Sequence, residues 1–395
     1  MIYLDNGATT FPKPEVVYQA MDIFARTGAV NAGRGAYAAA RAADQMIKNV
    51  RTGLISLMDA REQAQVVLTP SVTIALNQII YGQAWTEKSI AYVSPYEHNS
   101  VLRPLDVLSK KIGFQVLELP LAEDLSIDLA KTAAMFEENP PSFVAVTAVS
   151  NVTGYILPHR EIFRLARRYG AFNLLDGSQA VGLIRLPFAQ TMADAICFAG
   201  HKTLYGPFGI AGFLIKNSAK LQVTLAGGTG TKSEDLAMPA SLPGSMEAGS
   251  KDTVAIAGLE AALKWLPSVK PLEHECAMVA HFIEEAGKID GVELYCAPGG
   301  LQNQAGVVSF GVRGFKAIEV AAILDNKYDI AVRAGHHCAA LIHQHLGSNK
   351  YAGTVRVSPG YFNTMEDIEV LLTALRNLDR SQLEGVADDI LRGAC

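Results

Sequence analysis

The chain has 395 residues, of which 34 are Lys or Arg and 39 are Asp or Glu, and its formal net charge at pH 7 is −5. Because 49% of the residues are hydrophobic and only 18% are charged, the chain can bury a large core and form more than one domain. No run of basic residues stands out that would follow a phosphate backbone, which argues against a nucleic-acid partner.

Membrane and export signals are missing from the sequence. No apolar stretch reaches the roughly 18 to 20 residues that a membrane span requires. The N-terminus, MIYLDNGATT, has no basic segment leading into an apolar core. We therefore expect a cytoplasmic protein that does not associate with membranes.

The cysteines are odd in number, widely spaced and without a CxxC pair, which argues against a disulfide framework. They are Cys197, Cys276, Cys296, Cys338 and Cys395. A cysteine that matters for function would therefore act as a free thiol.

The pattern of apolar residues predicts the architecture in chain order. Residues 1–15 contain Pro12 and Pro14 and predict an N-terminal arm. From about residue 64, helical segments alternate with the apolar runs AQVVLTP, SIAYVSP, FVAVTAVS, AFNLLDGS, DAICFAG and GIAGFLI. Continuous hydrophobicity is typical of strands buried on both faces. Residues 16–262 therefore predict an α/β domain with a mostly parallel sheet flanked by helices.

The composition changes near residue 262. A helical stretch is followed by the strand VVSFGVRG, the helix AIEVAAILDN, the short run IAVRAG and the closing helix MEDIEVLLTALRNL. This mixture predicts a smaller α+β domain over residues 263–395.

Polar side chains follow several of the predicted strands, at the sheet edge where ligands of parallel sheets collect. A helix that begins near Ser71 would place Thr73 and the nearby amides where an anion can bind. An ordinary N-cap by Thr69 or Ser71 is the alternative interpretation. Asp176 follows a strongly apolar strand, where a carboxylate needs a cation or hydrogen-bond donors, although it could also cap the next helix.

Three further residues belong to this predicted edge. His98 and Asn151 each follow a strand, where a structural histidine and a turn asparagine are the alternatives. Lys202 stands between two apolar runs, as a structural charge or as a reactive amine. One crevice would then hold a helix N-terminus, a ring, an amide, a carboxylate and an amine. This set of groups suits an aldehyde cofactor with a pyridine ring and a phosphate.

Six motifs carry a resemblance to a known family. They are YLDNGATT, SNVTGYILP, LLDGSQAVG, GHKTLYGPFG, RAGHHCA and VRVSPGYFNT. In this order they resemble the class V aminotransferase-type enzymes that use pyridoxal 5'-phosphate, and among them the group II cysteine desulfurases. The resemblance covers nearly the whole chain. It implies an aspartate-aminotransferase-like fold of type I and a homodimer with shared active sites.

The resemblance also implies roles around the cofactor ring. Lys202 would bind pyridoxal phosphate through its amine, and Asp176 would pair with the pyridine nitrogen. Gln179 would hydrogen-bond the ring hydroxyl, and Asn151 would lie near that hydroxyl and the substrate. His98 would stack on the face of the ring.

For the cofactor phosphate, the resemblance implies a site made by Thr73, the amide of Val72 and His201, with Ser250 of the other protomer. Family members often have a serine where this chain has Ala199, so we expect weaker cofactor retention. The resemblance further implies that Arg356 binds the substrate carboxylate through its planar fork. Arg333 is expected to bind the substrate beside Arg356.

The thiol of Cys338 would select the reaction. It follows Arg333, His336 and His337 in RAGHHCAALIHQH, a cationic neighbourhood that predicts a thiolate at neutral pH. The resemblance implies conversion of L-cysteine to L-alanine, with a persulfide on Cys338 that an acceptor protein later receives. Lys202, helped by His98, would remove the α-proton of the substrate.

Other interpretations of this stretch stay open. A metal cluster of His336, His337, Cys338, His343 and His345 lacks the spacing of a standard tetrahedral set, so we expect no metal. A buried structural cysteine is a second alternative. Among enzymes, the alternatives are a selenocysteine lyase, a cysteine sulfinate desulfinase or another class V aminotransferase-type enzyme. A non-catalytic sulfur carrier or metal-binding protein on the same scaffold is the alternative of a different class.

Overall fold

A computed structural model describes residues 1–33, 35, 37–230 and 234–384. Cys395 and the end of the predicted small domain lie outside the described residues. In the part of the chain that is described, no helix has the length and apolar character needed to cross a membrane.

The strands are β1 (Ile2–Tyr3), β2 (Ala64–Thr69), β3 (Ile90–Val93), β4 (Gln115–Glu118), β5 (Phe143–Thr147), β6 (Phe172–Asp176), β7 (Ala195–Ala199), β8 (Ala211–Lys216), β9 (Val292–Tyr295), β10 (Val308–Val312), β11 (Ile330–Ala331), β12 (Arg333–Gly335) and β13 (Thr354–Val357). The α-helices are α1 (Glu15–Thr27), α2 (Ala38–Leu57), α3 (Val72–Tyr81), α4 (Asn99–Ile112), α5 (Leu129–Glu138), α6 (His159–Ala166), α7 (Phe188–Thr191), α8 (Thr253–Trp265), α9 (Pro271–Ala286), α10 (Ala317–Tyr328), α11 (Ala340–His345) and α12 (Met365–Arg376).

The larger sheet has seven strands within the described residues, in the order β2-β8-β7-β6-β5-β3-β4. Strands β3 to β7 pair in parallel, while β8 runs antiparallel to its neighbours β2 and β7. Every residue of β5 and β7 is buried, because helices cover both faces of the sheet. The predicted α/β fold with a mostly parallel sheet is confirmed.

Two helices begin directly after strands of this sheet. Helix α3 follows β2, and the Ser71 hydroxyl caps it by accepting the Ile74 N–H at 3.3 Å. Helix α4 follows β3, and Nδ1 of His98 caps it by accepting the Ser100 N–H at 3.0 Å. A side chain at the N-cap satisfies an amide that the helix itself cannot. Both helix N-termini therefore lie at the carboxyl edge of the sheet.

The smaller sheet is antiparallel, in the order β12-β13-β10-β9. Its buried residues form a core with helices α9, α10 and α12, to which Phe282, Phe310 and Leu371 belong. This is the predicted smaller α+β unit. The predicted boundary at residue 262 falls inside α8, which packs on α1 and α2 of the larger unit. The helix runs on to Trp265 because its apolar face continues beyond the predicted boundary.

The N-terminal segment differs from the predicted arm. Strand β1 pairs in parallel with β11, and Leu4 is fully buried in the core of the smaller unit. Both prolines come after this strand, so they do not prevent it from pairing. The first residues are therefore part of the small-unit core, and the chain then crosses to the larger unit.

Candidate active site

A cavity of about 240 Å³ opens at the carboxyl edge of the larger sheet and reaches β12 and β13 of the smaller one. The predicted site residues on its wall are Val72, Thr73, His98, Asn151, Asp176, Gln179, His201, Lys202, Arg333, Cys338 and Arg356. Ser250 lies elsewhere: it is exposed and lines a neighbouring cavity of about 290 Å³. Ala199 is buried within β7 and does not line the main cavity.

Asp176 is the last residue of β6 and is only 4% exposed. Its Oδ1 accepts hydrogen bonds from the amide of Ser178 at 3.0 Å and from the Ser178 hydroxyl at 2.5 Å. Within the described residues no hydrogen bond uses Oδ2. The carboxylate is thus held in one orientation, and its second oxygen is left for a partner in the cavity.

Lys202 stands in the turn after β7. Burial lowers its pKa to about 8, and the nearby Asp176 acts in the opposite direction. Within the described residues, the amine makes no hydrogen bond. The preceding carbonyl, that of His201, is held by the Thr10 amide at 3.0 Å and by the Lys13 ammonium at 2.8 Å. A fixed backbone and a lowered pKa suit an amine that must react in its neutral form.

The two imidazoles nearest to Lys202 are neutral at physiological pH. Burial, with a smaller contribution from Lys202, lowers the pKa of His98 to about 4. Burial, Lys202 and Lys13 lower the pKa of His201 to about 3. The ring of His201 stacks on Phe208 with 4.4 Å between centroids. These histidines can therefore pack and accept hydrogen bonds, but they add no positive charge.

Glu97 is a buried acid that the sequence analysis missed. It is fully buried, and its Oε1 accepts hydrogen bonds from the Ser94 hydroxyl and the Thr147 amide, both at 2.5 Å. Its Oε2 is buried and finds no hydrogen-bond partner among the described residues. Burial raises the pKa of Glu97 to about 8, and Asp176 adds to the increase. The sequence signal that could have pointed to Glu97 was its position directly before His98, after an apolar strand.

Cys338 is an exposed residue at the edge of the cavity, on a loop whose neighbouring residues His337 and Ala339 are buried. His337 and Cys338 both have positive φ, 47° and 55°, a backbone conformation that costs energy in non-glycine residues. Hydrogen bonds hold the backbone on both sides of the thiol: the Asn99 amide donates to the Cys338 carbonyl at 2.6 Å, and Nδ2 of Asn151 donates to the His337 carbonyl at 2.7 Å. The thiol is therefore fixed at the cavity mouth.

The prediction that His337 contributes positive charge beside Cys338 is wrong. This side chain is buried, and its Nε2 lies 3.1 Å from the Thr354 carbonyl. Burial lowers the pKa of His337 well below the ordinary value for histidine, so the ring is neutral. Neighbours in sequence differ in burial here: the thiol of Cys338 is exposed, whereas the histidine next to it is buried.

Arg356 lies on β13 and is almost fully buried, at 2% exposed. Its Nη2 is 2.6 Å from Oδ1 of Asp5, and its Nη1 donates to the Asn151 carbonyl at 3.1 Å. Arg333 on β12 is its direct cross-strand partner and makes no ion pair within the described residues. Gln179, expected near a ring hydroxyl, donates to the Gly7 carbonyl at 2.7 Å. Asp5 and Gly7 belong to the quoted motif YLDNGATT but had no predicted role.

The histidines after Arg333 pack on one another. The ring of His343 lies 5.0 Å from that of His336 and 5.9 Å from that of His337, measured between centroids. Among the residues that the structure describes, no group of three or more His, Cys, Asp or Glu side chains is arranged to hold a metal ion.

The comparison with protein families matches the aminotransferase class-V model to residues 2–371. The chain belongs to this family. A probable cysteine desulfurase from Methanothermobacter thermautotrophicus is 31% identical over 95% of this chain and 94% of its own length. A probable cysteine desulfurase from Xylella fastidiosa is 32% identical over 95% and 90%.

Solved structures agree with this membership. The apo structure of a cysteine desulfurase from Thermococcus onnurineus has a TM-score of 0.87 at 29% identity, covering 96% of this chain and 95% of the other. A cysteine desulfurase from Escherichia coli, in an S-sulfonic acid form, has a TM-score of 0.82 at 26% identity, covering 98% and 95%.

Class V aminotransferases use pyridoxal phosphate, and the cavity of this family member fits it. The free oxygen of Asp176 and the unpaired amine of Lys202 are the partners that a pyridine nitrogen and an aldehyde require. The start of helix α3, at Val72 and Thr73, lines the same cavity and offers amides to a phosphate.

Among the described cysteines, Cys338 is set apart by exposure. Cys197 is fully buried in β7. Burial raises the pKa of both Cys276 and Cys296 to about 11, so these thiols stay protonated at neutral pH. Only the thiolate form is a good nucleophile, which favours Cys338 as the reactive thiol.

Proposed function

We propose that this chain is a pyridoxal-phosphate-dependent cysteine desulfurase that converts L-cysteine to L-alanine and keeps the sulfur as a persulfide on Cys338. The observation that carries the proposal is the exposed Cys338 thiol on the wall of the same cavity as Lys202 and Arg356. The relatives named cysteine desulfurase, which match the chain over nearly its whole length, support L-cysteine as the substrate.

When bound, pyridoxal phosphate supplies an aldehyde for amines and an electron-poor ring that stabilises negative charge at the substrate α-carbon. The residues that would hold it are Lys202 at the aldehyde and Asp176 at the pyridine nitrogen. Val72, Thr73 and His201 would bind the phosphate. Because Ser178 fixes Oδ1 of Asp176, the carboxylate is held in one orientation and Oδ2 would be the oxygen available to the pyridine nitrogen.

The chain also binds the substrate and moves its proton. Arg356 is buried and offers a planar set of donors that matches the substrate carboxylate. The amine of Lys202, with its pKa lowered to about 8, takes the α-proton as a general base. The ring of His98 lines the same cavity and is neutral, so it does not oppose that transfer with a charge.

Cys338 completes the reaction. Its sulfur bonds to the substrate sulfur while the bond between the substrate β-carbon and that sulfur breaks, and the carbon gains a proton. The Cys338 thiol and L-cysteine are thus converted to a Cys338 persulfide and L-alanine, and no other reactant is needed. Exposure of the Cys338 side chain leaves the persulfide open to an acceptor in the cytoplasm.

The test is incubation of the cofactor-loaded protein with L-cysteine, followed by quantification of alanine and pyruvate and by mass analysis of cysteine peptides. We expect alanine and one added sulfur atom on Cys338. Cys338→Ala should abolish both and retain the cofactor absorbance, whereas the matched control Cys296→Ala should behave as wild type. Pyruvate as the main product, or alanine at an unchanged rate from Cys338→Ala, would contradict the proposal.

We further infer a homodimer in which Ser250 serves the phosphate site of the other protomer. Its exposure outside the cavity of its own chain supports this role. Exposed Ile74 and Leu225 on the same neighbouring cavity are apolar surface that a second copy would cover. Light scattering of the loaded protein should give twice the chain mass, and Ser250→Ala should weaken cofactor binding without changing that mass.

A further inference from the structure

Asp5 is the carboxylate that contacts Arg356. Oδ1 of Asp5 lies 2.6 Å from Nη2, and the two side chains are 19% and 2% exposed. In the part of the chain that the structure describes, Arg356 pairs with no other carboxylate. Burial lowers the pKa of Arg356, and Asp5 is the largest influence in the opposite direction. A buried guanidinium of this kind is costly without such a partner.

The contacts of Arg356 fix the plane of its guanidinium. Asp5 holds Nη2, and the Asn151 carbonyl accepts from Nη1 at 3.1 Å. Gly7 lies against the face of the group, since a β-carbon at that position would stand 3.2 Å from Cζ. Arginine carries five N–H donors in a fixed fork, so these two hydrogen bonds leave donors for a ligand.

The backbone that carries Asp5 is anchored to β11 and to Ser358, the residue directly after β13, on which Arg356 lies. The Leu4 amide donates to the Ala331 carbonyl at 2.9 Å, and the Ser358 amide donates to the Leu4 carbonyl at 2.8 Å. Asp5 itself forms a parallel bridge with Ser358, two residues after Arg356. The carboxylate and the guanidinium are therefore positioned by one rigid piece of the smaller unit.

We propose that Asp5 is a positioning residue that orients Arg356 for the α-carboxylate of an amino-acid substrate. The inference rests on the proposed function for the use of an α-amino acid, and it deepens that function by assigning the YLDNGATT motif to carboxylate recognition. Asp5 would not touch the substrate. It would act through Arg356, by charge and by the single hydrogen bond to Nη2.

The experiment compares two ligands of the cofactor-loaded enzyme, L-alanine and ethylamine, which differ by the carboxylate. Binding of each is followed by the change in cofactor absorbance. In Asp5→Ala we expect the dissociation constant for L-alanine to rise roughly tenfold or more, the size typical of a lost charge-assisted contact, while that for ethylamine changes less than about twofold. Asp5→Asn keeps an acceptor oxygen and should lose less.

The matched control is Asp329→Asn. Asp329 also anchors the N-terminal strand, through an ion pair of 2.5 Å with the terminal amine, but it does not contact Arg356. The Asp329→Asn variant should leave the dissociation constants for L-alanine and ethylamine unchanged. Equal weakening of both ligands in the Asp5 variants, or the same L-alanine loss in Asp329→Asn, would show a merely structural role and overturn the proposal.

Unchanged binding of L-alanine in both Asp5 variants would overturn the proposal as well. The titration needs no turnover, so it is independent of desulfuration. A wild-type protein that binds L-alanine better than ethylamine but forms no alanine from L-cysteine would refute the proposed function and leave the role of Asp5 to be decided by the variants.

Discussion

The two sides of the cavity are built differently. On one side, which we call the strand-end wall, Asp176 ends β6, and Lys202 and Asn151 follow β7 and β5, in a sheet that is buried on both faces. On the other side, which we call the thiol loop (residues 336–339), Cys338 is exposed and two consecutive residues have positive φ. The wall is held by packing, whereas the loop is held by a few hydrogen bonds.

This difference matches what each side must do. Groups that polarise a cofactor need a fixed orientation and little water, because charge interactions are stronger in a dry site. A thiol that accepts sulfur and then passes it on must be reachable from solvent. Strain in the loop, of the order of 1–3 kcal/mol per residue with αL backbone, is tolerated because the bonds from Asn99 and Asn151 hold it.

On the strand-end wall, the largest loss of activity should come from removing the charge of Asp176. Asp176→Asn removes the carboxylate without changing its size, and we expect alanine formation to fall by about two to three powers of ten, as when a preorganised electrostatic contact is lost. Steady-state rates measure it. Asp194→Asn is the control, because Asp194 stands before β7 at the opposite edge of the sheet. Equal losses in both variants would mean that the sheet is disturbed rather than the site.

The next effect concerns the amine of Lys202. Since its pKa lies at about 8 and only the neutral amine adds to an aldehyde, cofactor uptake by the cofactor-free protein should rise about tenfold per pH unit below 8 and level off above it. Stopped-flow absorbance measures the rate. Lys110→Met, at a surface ion pair with Asp106, is the control and should keep the same profile. A rate independent of pH between 6 and 9 would contradict the assignment.

A smaller effect should sharpen the contrast with the thiol loop. Asn151→Ala removes the donor to the His337 carbonyl, so the loop should loosen, with sulfur transfer reduced about tenfold, as for one lost hydrogen bond. Alkylation of Cys338 by iodoacetamide should become several-fold faster. Thr354→Val, which leaves the Thr354 carbonyl in place for His337, should change both rates less. Slower alkylation in Asn151→Ala would argue that the loop is not held in this way.

The smallest effect on activity is expected for Glu97→Gln, which keeps an acceptor for Ser94 and Thr147 but cannot ionise. In the wild type the folded-state pKa of Glu97 is about 8, above its ordinary value of 4.5. The folded state therefore holds a proton that the unfolded state has lost. The stabilisation of the folded state by this proton is complete below the unfolded-state pKa of Glu97. It is lost as the pH rises through about 8, and the free energy of unfolding changes with a slope of ~1.4 kcal/mol per pH unit.

Urea unfolding of the cofactor-free protein at pH 5 to 8 measures that slope, and Glu97→Gln should reduce it. Glu275, whose pKa burial also raises to about 8, keeps its own contribution in both proteins. Glu260→Gln, at a surface pair with Lys264, is the control and should leave the slope unchanged. A slope unaffected by Glu97→Gln would show that Glu97 is already ionised in the folded protein.

Much of the strand-end wall was predictable because its signals are local. Strands β5 to β7 read as continuous apolar runs, and the polar residue that ends each run lies at the carboxyl edge by the rule for parallel sheets. Glu97 and the N-terminal strand were not found. A buried acid looks like any other charged residue in the sequence, and β1 pairs with β11, more than 300 residues away along the chain.

The sequence by itself determined the alternation of strands and helices, the edge at which the polar residues collect, and the motif order of the class V family. Only the tertiary structure decided which of the neighbouring side chains 336–338 are buried, that Arg356 is paired with Asp5, and that Glu97 is buried within electrostatic reach of Asp176. The reason is physical: hydrophobic periodicity is a property of adjacent residues, whereas burial, ionisation and ion pairing depend on what distant parts of the chain place around each group.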